Sequence, residues 1–179
     1  GLYDKRLLLE ESVKMPLIVR YPASIKAGTV NEELISNVDF APTLLEFAGI
    51  KADSRMQGRS IVPLLSGKTP GDWRQAIWYA YGAAGHPHWG MRSKRYKLVL
   101  FPGTEDFEFY DLEKDPREMT NLAGVTDYAA AIAEARKTVE ELKLEVGIRP
   151  GQLPAKGGWS KSGARERERK KKNRKQESN

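Results

Sequence analysis

The feature that most constrains the fold is a short apolar run near the start of the sequence, enclosed by two prolines. Leu17, Ile18 and Val19 lie between Pro16 and Pro22. A branched apolar run of this length, bounded by residues that end regular structure, is typical of a strand that is buried on both faces. Such strands occur mainly in parallel sheets that helices cover on both sides. The run therefore predicts a strand of an α/β core.

A helix is predicted after this strand, over residues 37–50. Asn37 or Asp39 can cap its start, and Gly49 can end it as the residue after the C-cap. Four apolar side chains recur at helical spacing and predict one buried face. They belong to Phe40, Leu44, Phe47 and Ala48.

The second half of the sequence predicts a different architecture, beginning near Thr69–Asp72. Three short segments rich in aromatic and branched residues indicate strands of an antiparallel sheet. They are 76–81, 96–101 and 108–112. A helix over 128–146, with an apolar stripe that includes Ile132, Ala135 and Val139, is expected to lie across one face of that sheet. The predicted divisions are residues 1–70, 71–146 and 147–179.

The last 19 residues carry the charge of the chain. Residues 161–179 contain nine Lys or Arg and three Glu, which equals the whole formal net charge of +6. The segment 147–179 lacks core-forming residues and is predicted to be disordered. Clusters of Lys and Arg bind phosphates, sulfated polymers and anionic lipid headgroups by counterion release, so 161–179 is a candidate contact for a polyanion. A solvated tail without a partner is the simpler interpretation.

The composition excludes sites that need cysteine and segments that could span a membrane. The sequence has no cysteine, which excludes disulfides, thiolate metal sites and a thiol nucleophile within it. No apolar run approaches the roughly 18 residues of a membrane span. The sequence shows no signal peptide and does not begin with Met, so its start is interpreted as the boundary of a fragment.

Six short motifs occur in order along residues 1 to about 146. They are Asp4-Lys5-Arg6 with Glu10-Glu11-Ser12 and 16–22, then 36–45, 57–60, 92–98, 109–112, and Asp115-Pro116-x-Glu118-x-x-Asn121-Leu122. In this order they resemble the C-terminal third of type I sulfatases, which belong to the alkaline-phosphatase-like superfamily. The resemblance is greatest to enzymes such as N-sulfoglucosamine sulfohydrolase and iduronate sulfatase.

This resemblance implies an α/β fold. It would comprise the C-terminal edge of an alkaline-phosphatase-like core, then a small α+β subdomain with an antiparallel sheet and a C-terminal helix, then the basic tail. It also implies hydrolysis of a sulfate ester or N-sulfate of a sulfated carbohydrate, such as a glycosaminoglycan. A periplasmic, extracellular or lysosomal location is expected on the same ground.

The resemblance also implies two cofactors whose residues are expected outside this sequence. In the family, a formylglycine made from a Cys/Ser-x-Pro-x-Arg motif is the nucleophile, and a calcium ion bound by carboxylates holds the sulfate. The sequence contains no such motif, and no metal ligand is assigned within it. The isolated chain is therefore expected to be inactive.

One catalytic residue is carried over by the resemblance. Lys5, five residues before Glu10, matches the position of the family's sulfate-contacting lysine. An ammonium group near the bridging oxygen would stabilise the negative charge that develops as the S–O bond breaks. The alternative is a solvated lysine paired with Asp4 or Glu10, which would contribute about 0–1 kcal/mol.

A second group of candidates lies in a segment rich in glycine and proline, interpreted as a loop. His86, His88 and Arg92 can donate hydrogen bonds to sulfate or carboxylate groups of a sugar, and nearby aromatic residues can stack on it. The alternative is a surface loop in which Trp89 packs on the subdomain. A metal site at the two histidines is rejected because no third ligand lies near in sequence.

Four further charged residues are interpreted as structural. Asp39 is predicted to cap a helix, Asp111 and Asp115 to stabilise turns, and Arg59 to form an ion pair in a loop.

Two alternatives to a sulfatase remain open at this point. One is a non-catalytic module that binds nucleic acid or another polyanion through the basic tail. The other is a phosphodiesterase or phosphonate hydrolase of the same superfamily.

Overall fold

The computed structural model describes residues 7–82, 87–149 and 152–153. In these ranges a helical and loop-rich N-terminal part is followed by a four-stranded sheet and a long helix. The helices are α1 (Glu10–Val13), α2 (Phe40–Phe47), α3 (Val62–Leu65) and α4 (Ala129–Glu145). The strands are β1 (Ala76–Tyr81), β2 (His88–Ser93), β3 (Tyr96–Leu100) and β4 (Phe107–Asp111).

The four strands form one antiparallel sheet in the order β1-β2-β3-β4, so each strand pairs with the next in sequence. The three predicted strands are confirmed to within a residue at each end. The prediction of a loop was wrong for residues 88–92, which form β2. The sequence did not indicate this strand because Gly90 lies within it, and glycine is uncommon inside strands. A Cβ atom there would lie 1.8 Å from the carbonyl oxygen of Leu98 on β3, so the close approach of the two strands requires glycine.

The main hydrophobic core lies between one face of this sheet and α4. Alternate residues of the strands, including Met91, Leu98 and Phe109, pack against the buried stripe of α4. That stripe consists of Ile132, Ala135 and Val139. The prediction that this helix crosses one face of an antiparallel sheet is confirmed.

The opposite face of the sheet carries polar and aromatic residues. Because side chains alternate along a strand, His88 and Arg92 on β2 and Lys97 on β3 all lie on the face that α4 does not cover. Arg92 and Lys97 are direct partners in the β2–β3 register. Ion pairs from this face reach Glu10 of α1, so α1 lies against the sheet on the side opposite α4.

Helix α2 ends as predicted but is buried on a different side. The amide of Ile50 donates to the carbonyl of Leu45, and Gly49 has φ +68°, which together form a glycine-ended C-terminal cap. The predicted apolar face is largely exposed, however, with Leu44 at 68%. Pro42 and Thr43 are buried instead. The prediction that Phe40, Leu44, Phe47 and Ala48 form one buried face was therefore wrong for this structure. Tyr21 packs on Phe47, with ring centroids 4.9 Å apart, but the other three side chains stay exposed.

The opening apolar run likewise forms no strand. Residues 14–20 have no regular secondary structure, and Ile18 is 90% exposed. A strand requires a neighbouring strand for its backbone hydrogen bonds, and the four strands of the described sheet pair only with one another. The prediction of a buried strand was wrong for this structure.

A smaller core is formed by residues that lie between α2 and β1 in the sequence. Ile61, Leu64 and Trp73 are buried together, and the Trp73 indole donates to the carbonyl of Leu34. Trp73 thus packs with residues on the N-terminal side of the predicted division at 70/71, and that division stays a prediction.

The basic segment 161–179 lies outside the described residues. Among the described helices, none has the length and apolar character needed to cross a membrane.

Candidate functional site

The structure describes two of the four predicted site residues. Lys5 and His86 lie outside the described residues. His88 and Arg92 occupy the first and fifth positions of β2, so both lie on the face opposite α4, separated by about 13 Å along the strand. Their assignment to substrate binding stays a prediction, and their surroundings define what each can do.

His88 lies in an aromatic environment. Its ring stacks on those of Tyr79 and Tyr81, with centroids 5.8 and 5.4 Å away, and the ring of Phe101 lies at 6.1 Å. The side chain is only 1% exposed. Burial also raises the pKa of the Tyr79 hydroxyl. The described geometry thus places His88 among aromatic side chains of β1 and of the segment after β3.

Arg92 links the sheet to α1. Its Nη2 atom donates to Glu10 Oε2 at 2.9 Å and its Nε atom donates to Glu10 Oε1 at 3.3 Å. The remaining nitrogen, Nη1, donates to the Ser93 carbonyl at 3.0 Å. The guanidinium therefore holds a carboxylate 82 residues away in sequence, in the two-pronged geometry that arginine favours.

Two further buried charges complete this cluster. Lys97 Nζ lies 2.9 Å from Glu10 Oε1 and 2.5 Å from Glu118 Oε1. The other oxygen of Glu118 accepts the backbone N–H of Glu10 at 2.6 Å. The side chains of Lys97 and Glu118 are fully buried. We call Glu10, Arg92, Lys97 and Glu118 the charge cluster.

The charge cluster is balanced, with two cationic and two anionic side chains. Charges removed from water are tolerated when they are paired in this way. Burial by itself would raise the pKa of Glu10, but the hydrogen bonds from Arg92 and the contact with Lys97 outweigh it. The pKa of Glu10 therefore lies below its ordinary value of 4.5, and the carboxylate stays ionised at neutral pH.

A pocket of about 410 Å³ opens beside the charge cluster, between α1 and the β2–β3 turn. Its walls include Lys14, Arg92, Lys94 and Arg95. Three of these cations already have carboxylate partners, since Arg92 pairs with Glu10, Lys94 with Glu33 and Arg95 with Asp111. The pairing reduces the positive potential that the pocket presents to an anion.

A model of the C-terminal family of N-sulphoglucosamine sulphohydrolase matches residues 1–145. The chain belongs to this family. It is 45% identical over 153 residues to an N-acetylglucosamine-6-O-sulfatase of Bacteroides thetaiotaomicron, a match that covers 81% of this chain and 27% of that enzyme. It is also 37% identical over 83 residues to human N-acetylglucosamine-6-sulfatase, covering 46% of this chain and 15% of the human protein. The sulfatase-family chain thus spans about a quarter of the length of its Bacteroides relative.

Solved structures place the fold in the same superfamily. A protein in complex with its substrate D-glucosamine-2-N,6-O-disulfate matches with a TM-score of 0.72 and 39% identity, over 74% of this chain and 28% of that one. The phosphonate monoester hydrolase of Agrobacterium radiobacter matches with a TM-score of 0.57 and 29% identity, over 64% of this chain and 26% of that one. The fold is that of the C-terminal portion of alkaline-phosphatase-like sulfatases.

Several motif residues of this sulfatase-family chain have structural roles. Arg59 pairs with Asp72 at 2.9 Å, which confirms the predicted ion pair. Asp115 accepts the Thr120 N–H within a turn, as predicted. Asp111 accepts the N–H of Glu113 in a turn, as predicted, and is also a buried ion-pair partner of Arg95.

Asp39 has a wider structural role than the predicted helix cap. Its carboxylate accepts the Ser36 N–H in a capping box at the start of the 3₁₀ turn Asn37–Asp39, but it makes no side-chain cap hydrogen bond at the N-cap position of α2. It is also fully buried and pairs through both oxygens with Arg74, at 2.6 and 2.7 Å. The N–H of Arg59 donates to the same carboxylate at 2.8 Å. Asp39 therefore joins three separate segments of the N-terminal half.

Sequence reasoning assigned no role to Lys97 or Glu118. One local signal was available, because Lys97 interrupts the apolar part of a strand whose neighbours, Leu98 and Val99, are both buried. A charge at such a position requires a buried partner. That partner cannot be identified from spacing, because Glu10 lies 87 positions earlier in the sequence.

The described residues do not fit a metal ion. They contain no group of three or more His, Asp or Glu side chains arranged to hold one. The carboxylates of the charge cluster face Lys97 and Arg92, which occupy the space that a cation would take. Calcium and formylglycine, which the family resemblance implies, stay predictions.

Proposed function

We propose that the chain is the C-terminal part of a sulfatase that hydrolyses a sulfate ester of a glucosamine-type sugar. The observation that carries the proposal is the 45% identity to an N-acetylglucosamine-6-O-sulfatase over 81% of the chain. The solved neighbour bound to D-glucosamine-2-N,6-O-disulfate points to the same class of sugar. We propose the 6-O-sulfate as the bond that is cleaved.

The exposed surface of the N-terminal half supports the proposal that the chain is part of a larger protein. Large apolar side chains are exposed over residues 15–56, among them Met15, Ile18, Val30 and Leu44. Exposed large apolar side chains concentrated in one part of a sequence are typical of a surface that another part of a protein covers. In our proposal the rest of the full-length sulfatase covers it and supplies the formylglycine and the calcium ion. The formylglycine hydrate would supply the nucleophile and the calcium ion would bind the sulfate oxygens.

Within this proposal, residues of the chain bind and orient the ester. Lys5 would place an ammonium group at the bridging oxygen, where negative charge develops as the S–O bond breaks. His86, His88 and Arg92 would lie on the sugar side. The Arg92–Glu10 pair is largely buried, so it would stay intact when substrate binds. Arg92 would then contact the substrate through N–H groups that Glu10 does not use.

Steady-state turnover of N-acetylglucosamine-6-sulfate by the full-length protein tests the proposal. We expect Lys5→Ala to lower kcat by about 10²–10³-fold, while Lys26→Ala, at an exposed lysine, changes it less than about twofold. Removal of calcium by a chelator should abolish turnover, and added calcium should restore it. Wild-type protein that hydrolyses no sulfate ester of a panel would overturn the proposed function. A Lys5→Ala variant with normal kcat would overturn only the role of Lys5.

Phosphonate or phosphate ester hydrolysis is the second candidate. The chain is 29% identical to the phosphonate monoester hydrolase of Agrobacterium radiobacter and 29% identical to a multifunctional alkaline phosphatase superfamily protein of Trinickia caryophylli. Ranking kcat/KM for a phosphonate monoester, a phosphodiester and the sulfated sugar separates the candidates. We expect the sulfated sugar to rank first.

Contact of residues 161–179 with polyanions stays a prediction. Retention of the protein on heparin, with and without these residues, tests it. Elution at equal salt would show that the tail makes no such contact.

A further inference from the structure

Helix α1 buries a carboxylate rather than an apolar side chain. Of its four residues, the buried one is Glu10, and no side chain caps its first turn. A helix of this length has little stability of its own. Contacts with other parts of the molecule therefore decide where α1 lies.

Those contacts hold Glu10 at three points. Its carboxylate pairs with Arg92 on β2 and with Lys97 on β3. Its backbone N–H donates to Glu118 Oε2 at 2.6 Å, in the turn after β4. Two strands and one turn of the second half thus fix both the side chain and the backbone of a single residue of α1.

The groups that hold Glu10 belong to one row across the sheet. Arg92 is the register partner of Lys97, and Lys97 is the register partner of Tyr110 on β4. Burial raises the pKa of the Tyr110 hydroxyl, and the nearby carboxylates of Glu108 and Glu118 raise it further. Tyr110 therefore stays neutral. Among the described residues, Lys97 is the cation that pairs with Glu118.

Glu118 has an uncommon backbone conformation. Its φ angle is +55°, and it is the one non-glycine residue with positive φ among the described residues. Its N–H donates to the Asp115 carbonyl at 3.1 Å. Backbone strain of this kind is retained only where the surrounding structure over-determines it. The contacts of the Glu118 carboxylate with Lys97 and with the Glu10 N–H do so here.

Stability alone does not explain the charge cluster. Removing charges from water is costly, and apolar residues of similar volume at such positions often give equal or greater stability. Paired charges, however, meet in one arrangement, because a shift of α1 along the sheet would leave a buried charge without its partner. An apolar contact tolerates such shifts, since cores that keep their volume lose uniqueness before they lose stability.

We propose that the charge cluster is an orientation device, which selects one placement of α1 on the sheet and contributes little net stability. Lys97 and Glu118 are its central pair, because both are fully buried and both contact Glu10. The device is separate from the chemistry of the proposed sulfatase, so the inference does not rest on that function.

Hydrogen exchange in the full-length protein tests the proposal at two places in the same sample. Residues 10–14 report on α1, and residues 132–139 report on the core between α4 and the sheet. Lys97→Met combined with Glu118→Gln removes one cation and one anion and keeps an acceptor for the Glu10 N–H. Glu10 stays paired with Arg92. We expect exchange at least about tenfold faster at 10–14, and within about twofold of wild type at 132–139.

Two results with this double variant would overturn the proposal. If exchange at 10–14 is unchanged, α1 keeps its place without the central pair. If exchange is accelerated equally at both places, or if the variant does not fold, the pair contributes net stability instead of orientation.

Lys97→Met alone is the second variant. It leaves the Glu118 carboxylate buried without its cation, so we expect faster exchange at 132–139 than in the double variant. Exchange at 132–139 that is no faster than in the double variant would show that Lys97 and Glu118 do not neutralise one another, which contradicts the proposal.

Arg74→Met combined with Asp39→Asn is the matched control. It also removes one cation and one anion of a largely buried pair, and asparagine keeps an acceptor for the N–H groups that Asp39 binds. Neither residue contacts α1. We expect the ratio of exchange at 10–14 to exchange at 132–139 to stay within about twofold of wild type. A rise in this ratio as large as that in the Lys97 and Glu118 double variant would overturn the proposal.

Discussion

At the scale of single residues, the motifs that carry the family resemblance are explained mainly by packing and ion pairing. Gly90 allows β2 and β3 to approach closely. Glu10, Arg92, Lys97 and Glu118 neutralise one another in the space between α1 and the sheet. Motif residues of an enzyme family can thus be required for the fold around a site rather than for contact with the substrate.

The close approach at Gly90 makes a direct prediction. Gly90→Ala places a Cβ atom 1.8 Å from the Leu98 carbonyl oxygen, so β2 and β3 must separate. We expect a loss of at least about 2 kcal/mol in the free energy of unfolding, measured with urea, because well-packed sites tolerate added volume poorly.

Gly71→Ala is the control for this substitution. Gly71 has no heavy atom within 4 Å of the added Cβ position, and it should stay within about 0.5 kcal/mol of wild type. If the two alanine variants unfold at the same urea concentration, the close approach does not exist in solution.

At the scale of elements, α1 depends on distant residues while α4 depends on its own pattern. Helix α4 has 17 residues and a buried stripe at helical spacing. Helix α1 has four residues and is held by ion pairs to strands 82 or more positions away. The first can be predicted from local sequence, and the second cannot.

The anchoring of α1 should depend on pH. The folded-state pKa of Glu10 is below its ordinary value of 4.5. Its contribution to stability is therefore fully present above about pH 4.5 and is lost as the pH falls through the lower folded-state value. Glu10→Gln should cost about 3 kcal/mol at pH 7 and progressively less as the pH falls below 4.5.

Urea unfolding of both proteins at a series of pH values measures this difference. Glu140→Gln, at an exposed pair with Lys143, is the control and should show a difference below about 1 kcal/mol at every pH. A Glu10→Gln cost that stays constant from pH 7 to pH 3 would contradict the assignment.

At the scale of the whole molecule, the two halves differ in how completely they bury their apolar residues. The sheet and α4 enclose a continuous core. Residues 15–56 instead expose apolar side chains that the sequence pattern predicts to be buried, among them Ile18 and Leu44. The first half therefore has the surface of an incomplete domain, in agreement with the proposal that it packs against the rest of a sulfatase.

This difference predicts that Ile18→Asp affects stability differently in the 179-residue chain and in the full-length protein. Ile18→Asp should change the stability of the 179-residue chain by less than about 0.5 kcal/mol, because the side chain is 90% exposed. In the full-length protein it should cost about 3 kcal/mol or more, since a charge would be buried without a partner.

Thermal unfolding of both forms measures the two effects. Ser54→Asp, at an exposed turn residue, should be nearly neutral in each. Equal costs of Ile18→Asp in the short and long forms would contradict the view that another part of the protein covers this surface.

The sequence by itself determined those elements whose reasons are local. The stripe of α4, the strands β1, β3 and β4, and the glycine-ended cap of α2 were all predicted, because periodicity and capping chemistry act over a few residues. The family could also be inferred, because its motifs retain their order.

Only the tertiary structure decided what each surface meets. Periodicity shows which residues of α2 share a face, but not whether anything covers that face. It cannot reveal the charge cluster either, because Glu10 meets Arg92 and Glu118 across 82 and 108 positions of sequence. Ion pairing between distant residues depends on how the chain is brought together, so the position of Lys97 between two carboxylates is a property of the fold rather than of any segment.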